Sequence, residues 1–146
     1  MLDDLFGPLG GKRDGAEILK ALKQAAEERI LILDGAMGTQ IQGLGFDEDH
    51  FRGDRFIGCA CHQKGNNDLL ILTQPDAIED IHFRYAMAGA DILETNTFSS
   101  TRIAQADYEM EGAVYDLNRE GAFIVRRAAQ RAEREDGRRR FVAGAI

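Results

Sequence analysis

A carboxylate and two glycines follow directly on an apolar run in the stretch LILDGAMGTQIQ. Asp34 comes immediately after the apolar residues 30–33, and Gly35 and Gly38 lie close behind it. Glycine allows a sharp turn and a close approach of the backbone to a ligand, and consecutive backbone N–H groups form a concavity that binds anions. Asp34 could therefore bind an ammonium group while the loop amides bind a carboxylate. Such a pair of sites suits a zwitterion, as an amino acid is.

Simpler interpretations of the same residues stay open. Asp-Gly after a strand is also a common turn, and Asp34 could only cap the helix that follows. The loop lacks both the P-loop pattern and the G-x-G-x-x-G pattern, so a nucleotide is a less favoured ligand. The spacing therefore indicates either a site for a small zwitterion or a structural turn.

A second polar group lies at the end of the segment ADILETNTF, residues 90–98. Side chains alternate between the two faces of an extended segment, so Glu94, Asn96 and Phe98 should share one face. Sites in parallel α/β folds gather at the C-terminal ends of the strands, which places this face beside Asp34. Asn96 could equally be a satisfied amide at a strand end, and Phe98 an ordinary core residue.

The stretch CACH, residues 59–62, contains three potential metal ligands. Its spacing is tighter than the C-x₂-C pairs of zinc sites, and no second ligand pair follows. Loop thiols without a special role are the favoured interpretation of Cys59 and Cys61. His50 and His82 are isolated in the sequence, and packing or a surface position accounts for His82, which lies in a predicted helix.

The elements that must position these residues alternate between helices and strands. Apolar residues recur at helical spacing after Asp14, a suitable N-cap, after Pro75, and through residues 114–128. Residues 42–68 are predicted to form a long polar loop, which in a compact domain is usually functional or mobile. The apolar residues 69–72 form either a buried strand or another packed segment. The predicted strands are residues 30–33, 90–98 and 141–146.

This alternation predicts a parallel α/β fold, either a doubly wound sheet or a (β/α)8 barrel. A barrel needs about 250 residues, so this chain of 146 residues would supply its first two units and one more strand. The last strand has no following helix, whereas parallel strands are covered on both faces. We therefore expect a truncated TIM barrel, with residues 1–13 as a flexible lead-in and residues 14–146 as an incomplete barrel domain.

Composition limits the partners and the compartment. The net charge of −7 disfavours nucleic acid and anionic membranes, because both attract basic surfaces. No apolar run reaches membrane-spanning length, and the N-terminus lacks the features of a signal peptide. The two closely spaced cysteines do not form an ordinary disulfide framework. These features favour a cytoplasmic protein that binds neither nucleic acid nor membrane.

Three motifs resemble a known family. They are LILDGAMGTQIQ, KGNNDLLILTQPDAIEDIHFRYAMAGADILETNTFSSTRIAQADYEME and the terminal RFVAGAI. All three are closely similar to the N-terminal, homocysteine-binding module of cobalamin-dependent methionine synthase. The similarity covers nearly the whole chain from Ile30 onward, and KGNNDLL is typical of the cobalamin-dependent branch. Betaine-dependent and other homocysteine methyltransferases share the glycine loop DGAMG (residues 34–38) but resemble the rest of the chain less.

The resemblance implies a (β/α)8 barrel that binds homocysteine at its C-terminal mouth. Asp34 matches the acidic residue that contacts the substrate ammonium, and Gly35, Ala36 and Met37 match the loop whose amides meet the carboxylate. Phe98 falls where related enzymes place a residue near the substrate. The residues that match the substrate-binding motifs are Asp34, Gly35, Ala36, Met37, Asn96 and Phe98.

The resemblance also implies cofactors that this chain does not bind. In the family, zinc held by three cysteines binds the homocysteine sulfur as a thiolate, which attacks the methyl group of methylcobalamin. 5-Methyltetrahydrofolate then re-methylates the cobalamin. The zinc cysteines lie on later strands, so Cys59 and Cys61 are not those ligands. The zinc and cobalamin would therefore belong to a longer parent protein, together with its folate and cobalamin modules.

This chain is then expected to contain neither a metal ligand nor a catalytic residue, and to be inactive alone. Uncovered strand edges would favour its self-association. Two alternatives for its function stay open. The first is a zinc-dependent homocysteine methyltransferase of the betaine type, and the second is an inert structural fragment.

Overall fold

The computed structural model describes residues 15–145. The helices in this range are α1 (Gly15–Glu28), α2 (Met37–Gly43), α3 (Glu48–Arg52), α4 (Leu70–Thr73), α5 (Pro75–Ala88), α6 (Arg102–Gln105) and α7 (Val114–Asp136). The strands are β1 (Ile92–Glu94) and β2 (Phe141–Ala143), and short 3₁₀ helices span Asn67–Leu69, Ala106–Tyr108 and Glu111–Ala113. The predicted lead-in of residues 1–13 and the predicted cap Asp14 lie outside the described residues, as does Ile146.

The chain divides into two compact units between residues 32 and 33. In the first unit, the described residues form α1 and the short segment that follows it. α1 confirms the helix predicted after residue 14, although none of its residues is buried. The second unit contains the other helices and both strands. Within residues 15–145, no helix combines the length and the apolar character needed to cross a membrane.

The predicted strand at residues 30–33 is wrong. Only Leu33 takes part in a ladder, through one parallel bridge with Ile92, and the exposed fraction of Ile30 is 90%. An apolar run predicts burial, but a strand also needs a neighbour whose N–H and C=O groups match its own. Such a match is seen at Leu33 and at Asp34, whose N–H donates to the carbonyl oxygen of Ile92 at 2.9 Å.

The sheet is small and parallel. β1 pairs with β2 in a register that sets Leu93 opposite Val142, and Leu33 bridges to β1 as well. Both strands lie inside the predicted segments 90–98 and 141–146, but each is only three residues long. The long helix α7 connects them, as a parallel α/β fold requires. The structure therefore confirms a mixed α/β arrangement, in which helices dominate.

One of the two hydrophobic clusters described in the second unit lies among α5, α7 and β1. Ala86 of α5, Leu93 of β1 and Val125 of α7 are buried in one cluster. Pro75 occupies the first turn of α5, and Gly89 ends this helix with a left-handed φ of 115°. Glycine adopts this conformation without steric cost, so both predicted ends of the helix are confirmed.

The apolar residues 69–72 form helical turns, which decides between the two predicted alternatives in favour of a packed segment. Leu69 and Leu70 are fully buried where the 3₁₀ helix Asn67–Leu69 leads into α4. α4 packs against α7, and Gly121 makes this approach possible. A Cβ atom at Gly121 would lie 3.2 Å from the Ile71 side chain and 2.8 Å from that of Thr97.

The segment 42–68 contains a helix and a buried anchor, although the polar pattern predicted a long loop. α3 begins with a capping box, in which the side chains of Asp47 and His50 each bond to the other residue's backbone N–H. Phe51 of the same helix is buried in the larger hydrophobic cluster, which also contains Leu69 and Leu117. Because polar residues surround Phe51 in the sequence, the pattern did not predict its burial.

Glu48 forms a clamp at the centre of this segment. Its carboxylate accepts the backbone N–H groups of Gln63 and Lys64, both at 2.8 Å. It also accepts Nε of Arg52 at 2.6 Å, and Arg52 donates onward to the carbonyl oxygen of Cys59. One carboxylate therefore connects α3 to the chain that leads into the 3₁₀ helix Asn67–Leu69.

We predict that Glu48→Gln destabilises the chain and flattens its response to acid. Burial acts to raise the pKa of Glu48, but hydrogen bonds from Gln63, Arg52 and Lys64 outweigh it and lower this pKa from 4.5 to about 2. The stabilisation is therefore complete above pH 4.5 and is lost as the pH falls toward 2. At pH 7 the substitution should lower the free energy of unfolding by roughly 1–3 kcal/mol.

Urea unfolding at pH 7 and at pH 3 measures both effects. Asp54→Asn is the matched control. Asp54 is exposed, so its substitution removes the same charge outside the clamp. A Glu48→Gln variant that keeps the stability and the acid response of the unsubstituted chain would contradict the clamp.

We further predict that the purified chain self-associates through the edge of β2. Within the described residues β2 has only β1 as a neighbour, and the apolar side chain of Val142 is 36% exposed. An unpaired strand edge is a template for pairing with another chain, and a charge on that edge opposes pairing. Light scattering should show a mass that rises with concentration, and Val142→Lys should reduce it. Tyr115→Lys on α7 adds the same charge elsewhere, so an equal effect of both variants would exclude the edge.

Candidate functional site

A cavity of about 150 Å³ opens between the segment after Leu33 and the end of β1. Two short stretches of the chain supply its lining. The lining residues are Asp34, Gly35, Ala36, Met37, Glu94, Thr95, Asn96 and Phe98. The cavity therefore brings together all six residues predicted from the sequence, and it adds Glu94 and Thr95. A substrate-binding role for the six stays a prediction.

Exposed and buried residues alternate along β1 and the residues that follow it. Leu93, Thr95 and Thr97 are buried, whereas Glu94 and Phe98 are exposed. The ladder continues for one bond past β1, because the N–H of Thr95 donates to the carbonyl oxygen of Ala143 at 2.9 Å. The chain then bends at Asn96, where the N–H of Thr97 donates to the carbonyl oxygen of Thr95 at 2.8 Å, so the predicted single extended face from Glu94 to Phe98 is wrong.

Asp34 connects the two stretches of chain that line the cavity. Its Oδ1 accepts the backbone N–H of Glu94 at 2.9 Å, while its own N–H donates to the carbonyl oxygen of Ile92. The side chain is only 5% exposed, and Oδ2 lies 3.6 Å from Nδ1 of His82. Asp34 is therefore both a structural connection and a carboxylate at the wall of the cavity.

The glycine loop has an unusual backbone at Ala36. This residue adopts a left-handed conformation with φ of 48°, which is uncommon for a residue with a side chain, and α2 begins directly after it. The N-cap position of α2 is Ala36 and has no side-chain bond, so the alternative that Asp34 caps this helix is wrong. Within the described residues, the N–H groups of Gly35, Ala36 and Met37 donate no hydrogen bond. These three donors are available to an anion.

Asn96 and Phe98 have different environments, although both line the cavity. Nδ2 of Asn96 donates to the carbonyl oxygen of Asn67 at 3.0 Å, which supports the alternative of a satisfied amide. Phe98 is 88% exposed, so the alternative of an ordinary core residue is wrong. Asn96 therefore anchors the neighbouring chain, and Phe98 offers an apolar surface at the cavity.

A buried polar network joins residues 66–68 to the residues that follow the ETNTF segment (residues 94–98). Asn66 and Gln105 exchange hydrogen bonds between their side-chain amides at 2.9 and 3.1 Å. Asp68 accepts the N–H of Ser99 and the hydroxyl of Ser100, both at 2.8 Å. Burial raises the pKa of Asp68, against the effect of these two bonds. The sequence does not predict this network, because its members are separated by about 30–40 positions and follow no periodic pattern.

Glu94 and His82 are two further residues at this site. The sequence predicts Glu94 on one face with Asn96 and Phe98 but not as a binding residue, although it is exposed and lines the cavity. For His82 the packing alternative is confirmed and the surface alternative is wrong, because the residue is fully buried beside Asp34. The helical periodicity of α5 predicted that His82 neighbours the apolar face, but it could not predict which residue the imidazole meets.

The described residues do not fit a zinc site. Within residues 15–145, no group of three or more His, Cys, Asp or Glu side chains is arranged to hold a metal ion. Cys59 and Cys61 are free thiols, and a hydrogen bond with Glu109 raises the pKa of Cys61. A raised pKa opposes the thiolate form that binds metals.

Comparison with solved structures shows the fold to which this arrangement belongs. The metallated form of the homocysteine methyltransferase MmuM from Escherichia coli superposes with a TM-score of 0.67 at 20% identity, over 86% of this chain and 40% of that one. Its oxidized form gives a TM-score of 0.62 at 21% identity, over 80% of this chain and 37% of that one. The chain thus spans about 40% of the length of these structures.

The sequence itself matches a family model over most of its length. The match covers residues 31–146, which include the glycine loop, the ETNTF segment and β2, and the model describes homocysteine S-methyltransferase. The chain therefore belongs to the homocysteine S-methyltransferase family.

Proposed function

We propose that this chain provides the amino acid-binding part of a methyltransferase that converts homocysteine to methionine. The observation that carries the proposal is that one cavity is lined both by residues 35–37, whose N–H groups donate no hydrogen bond among the described residues, and by Asp34 and Glu94, which carry carboxylates. The family membership supplies the substrate class. The same cavity contains the residues that the sequence predicted for this role.

The chemistry of the cavity matches a zwitterion. The N–H groups of Gly35, Ala36 and Met37 would hold the substrate carboxylate, because consecutive amides bind anions. Asp34 and Glu94 would hold the ammonium group through charge-assisted hydrogen bonds. With both charged ends held, the thiol side chain is the part of homocysteine that stays free to receive the methyl group.

We further propose that the parent protein is a cobalamin-dependent methionine synthase in the cytoplasm. The support comes from the sequence, in which KGNNDLL accompanies DGAMGT and ETNTF at the family's separation. Methylcobalamin, 5-methyltetrahydrofolate and a zinc site would then be supplied by parts of the parent beyond this chain. MmuM from Escherichia coli has a metallated form, which is consistent with a metal in the family. A betaine-type methyltransferase is the alternative, and assays of a longer protein with each methyl donor would separate the two.

We predict that Asp34→Asn weakens homocysteine binding while the fold is retained. The amide keeps an oxygen that can accept the N–H of Glu94, but it lacks the charge that attracts the ammonium group. The loss of one charged hydrogen bond costs roughly 1.5–3 kcal/mol, which corresponds to a tenfold or larger rise in Kd. Calorimetric titration of the purified chain with homocysteine measures it, and thermal unfolding checks the fold.

Two further variants sharpen this titration. Glu94→Gln tests whether the exposed carboxylate shares the ammonium group, and a comparable loss of affinity is expected. Asp54→Asn is the matched control, since it removes the same charge from an exposed position outside the cavity. Unchanged affinity in both cavity variants would return Asp34 to a purely structural role and would remove the basis of the proposal.

We also predict that the purified chain binds no stoichiometric zinc and forms no methionine from homocysteine and methylcobalamin. The physical reason is that a catalytic zinc needs about three protein ligands, and a thiol without zinc stays mostly protonated near its usual pKa of about 8.5. Metal analysis after desalting and an assay for methionine test both parts. One zinc per chain that disappears in Cys59→Ser or Cys61→Ser would show that the CACH segment is a metal site.

A further inference from the structure

The imidazole of His82 is buried in the wall behind Asp34, and its ring nitrogens have no hydrogen-bond partner. The residue lies on α5 and is fully buried, and both Nδ1 and Nε2 lack a partner. Its Nδ1 lies 3.6 Å from Oδ2 of Asp34. This is too long for a hydrogen bond, which has its usual N···O distance near 2.9–3.0 Å.

A neutral imidazole always carries one N–H, and a buried donor without an acceptor costs free energy. Oδ2 of Asp34 is the acceptor that faces Nδ1, and a movement of about 0.6 Å would bring the two atoms to hydrogen-bond distance. The other oxygen of this carboxylate is already engaged, because Oδ1 accepts the N–H of Glu94. The two oxygens thus face two different donors, one on α5 and one on β1.

We propose that His82 is a positioning residue for Asp34, which it holds through an Nδ1–H···Oδ2 hydrogen bond. The imidazole and the N–H of Glu94 then hold the carboxylate from two sides and prevent its rotation. The negative charge stays at the cavity wall in one orientation, where it meets the ammonium group of the substrate. The role in substrate binding rests on the proposed function, whereas the hydrogen bond itself does not.

The bond can be tested in the free chain by nuclear magnetic resonance. Long-range ¹H–¹⁵N correlation identifies which ring nitrogen of His82 carries the proton, and we expect the Nδ1–H tautomer. This form is the minor one in a free imidazole, so its selection requires an acceptor at Nδ1. A proton on Nε2, or rapid averaging between the two nitrogens, would overturn the proposal.

Two variants separate positioning from simple packing. His82→Asn places an amide N–H close to the position of Nδ1, whereas His82→Leu fills a similar volume without a donor. The backbone ¹H–¹⁵N signal of Glu94 reports the bond to Asp34, so it should stay near its original position in His82→Asn and shift in His82→Leu. Equal signals in both variants would show that His82 only fills space. If His82→Leu fails to fold, the tautomer and the His82→Asn signal still decide the question.

Homocysteine titration then connects the positioning to function. We expect His82→Asn to bind homocysteine about as well as the unsubstituted chain, and His82→Leu to bind it about three- to tenfold more weakly. Equal affinity of His82→Leu would overturn the role in binding even where the tautomer is Nδ1–H. A chain that shows this tautomer and the expected Glu94 signals but binds no homocysteine would refute the proposed function and support the hydrogen bond. The two failures are therefore distinguishable.

Discussion

The hydrogen bond between the Asp34 carboxylate and the N–H of Glu94 is the constraint on which the candidate site depends. The parallel bridge between Leu33 and Ile92, which includes the bond from the N–H of Asp34 to the carbonyl oxygen of Ile92, also joins this segment to β1. The side chain of Asp34 adds a connection at the position where both stretches leave the sheet. This bond ties the start of the glycine loop to the start of the ETNTF segment. A residue that could bind substrate is thus also part of the structure that forms the site.

The polar groups beneath the cavity extend this constraint to the rest of the second unit. Asn96 bonds to Asn67, and Asp68, one residue further, bonds to the backbone at Ser99. The chain before Asn67 is held in turn by the Glu48 clamp. Hydrogen bonds at both ends of residues 63–67 therefore connect α3, through this stretch of chain, to the cavity. Since buried polar groups are costly when unpaired, these bonds favour one arrangement over its alternatives.

The sequence predicted most of the fold where a local signal and the tertiary environment agree. α5 begins at Pro75 and ends at Gly89 as expected, and the six predicted binding residues line one cavity. The sequence could not show that residues 30–33 form no strand, because an apolar run does not reveal whether a neighbouring strand exists to pair with it. The same limitation applies to the partner of His82 and to the network around Asp68. These depend on residues distant in sequence, which no periodicity encodes.

The short parallel ladder of β1 and β2 makes the wall of the cavity depend on strand register. In the observed register, Leu93 is buried, whereas its neighbour Glu94 is exposed and lines the cavity. Because the side-chain period of a strand is two, a slip of the β1–β2 pairing by one residue would bring Leu93 to the cavity side and turn the Glu94 carboxylate toward the interior. The charge at this wall is therefore determined by the pairing of three residues on each strand.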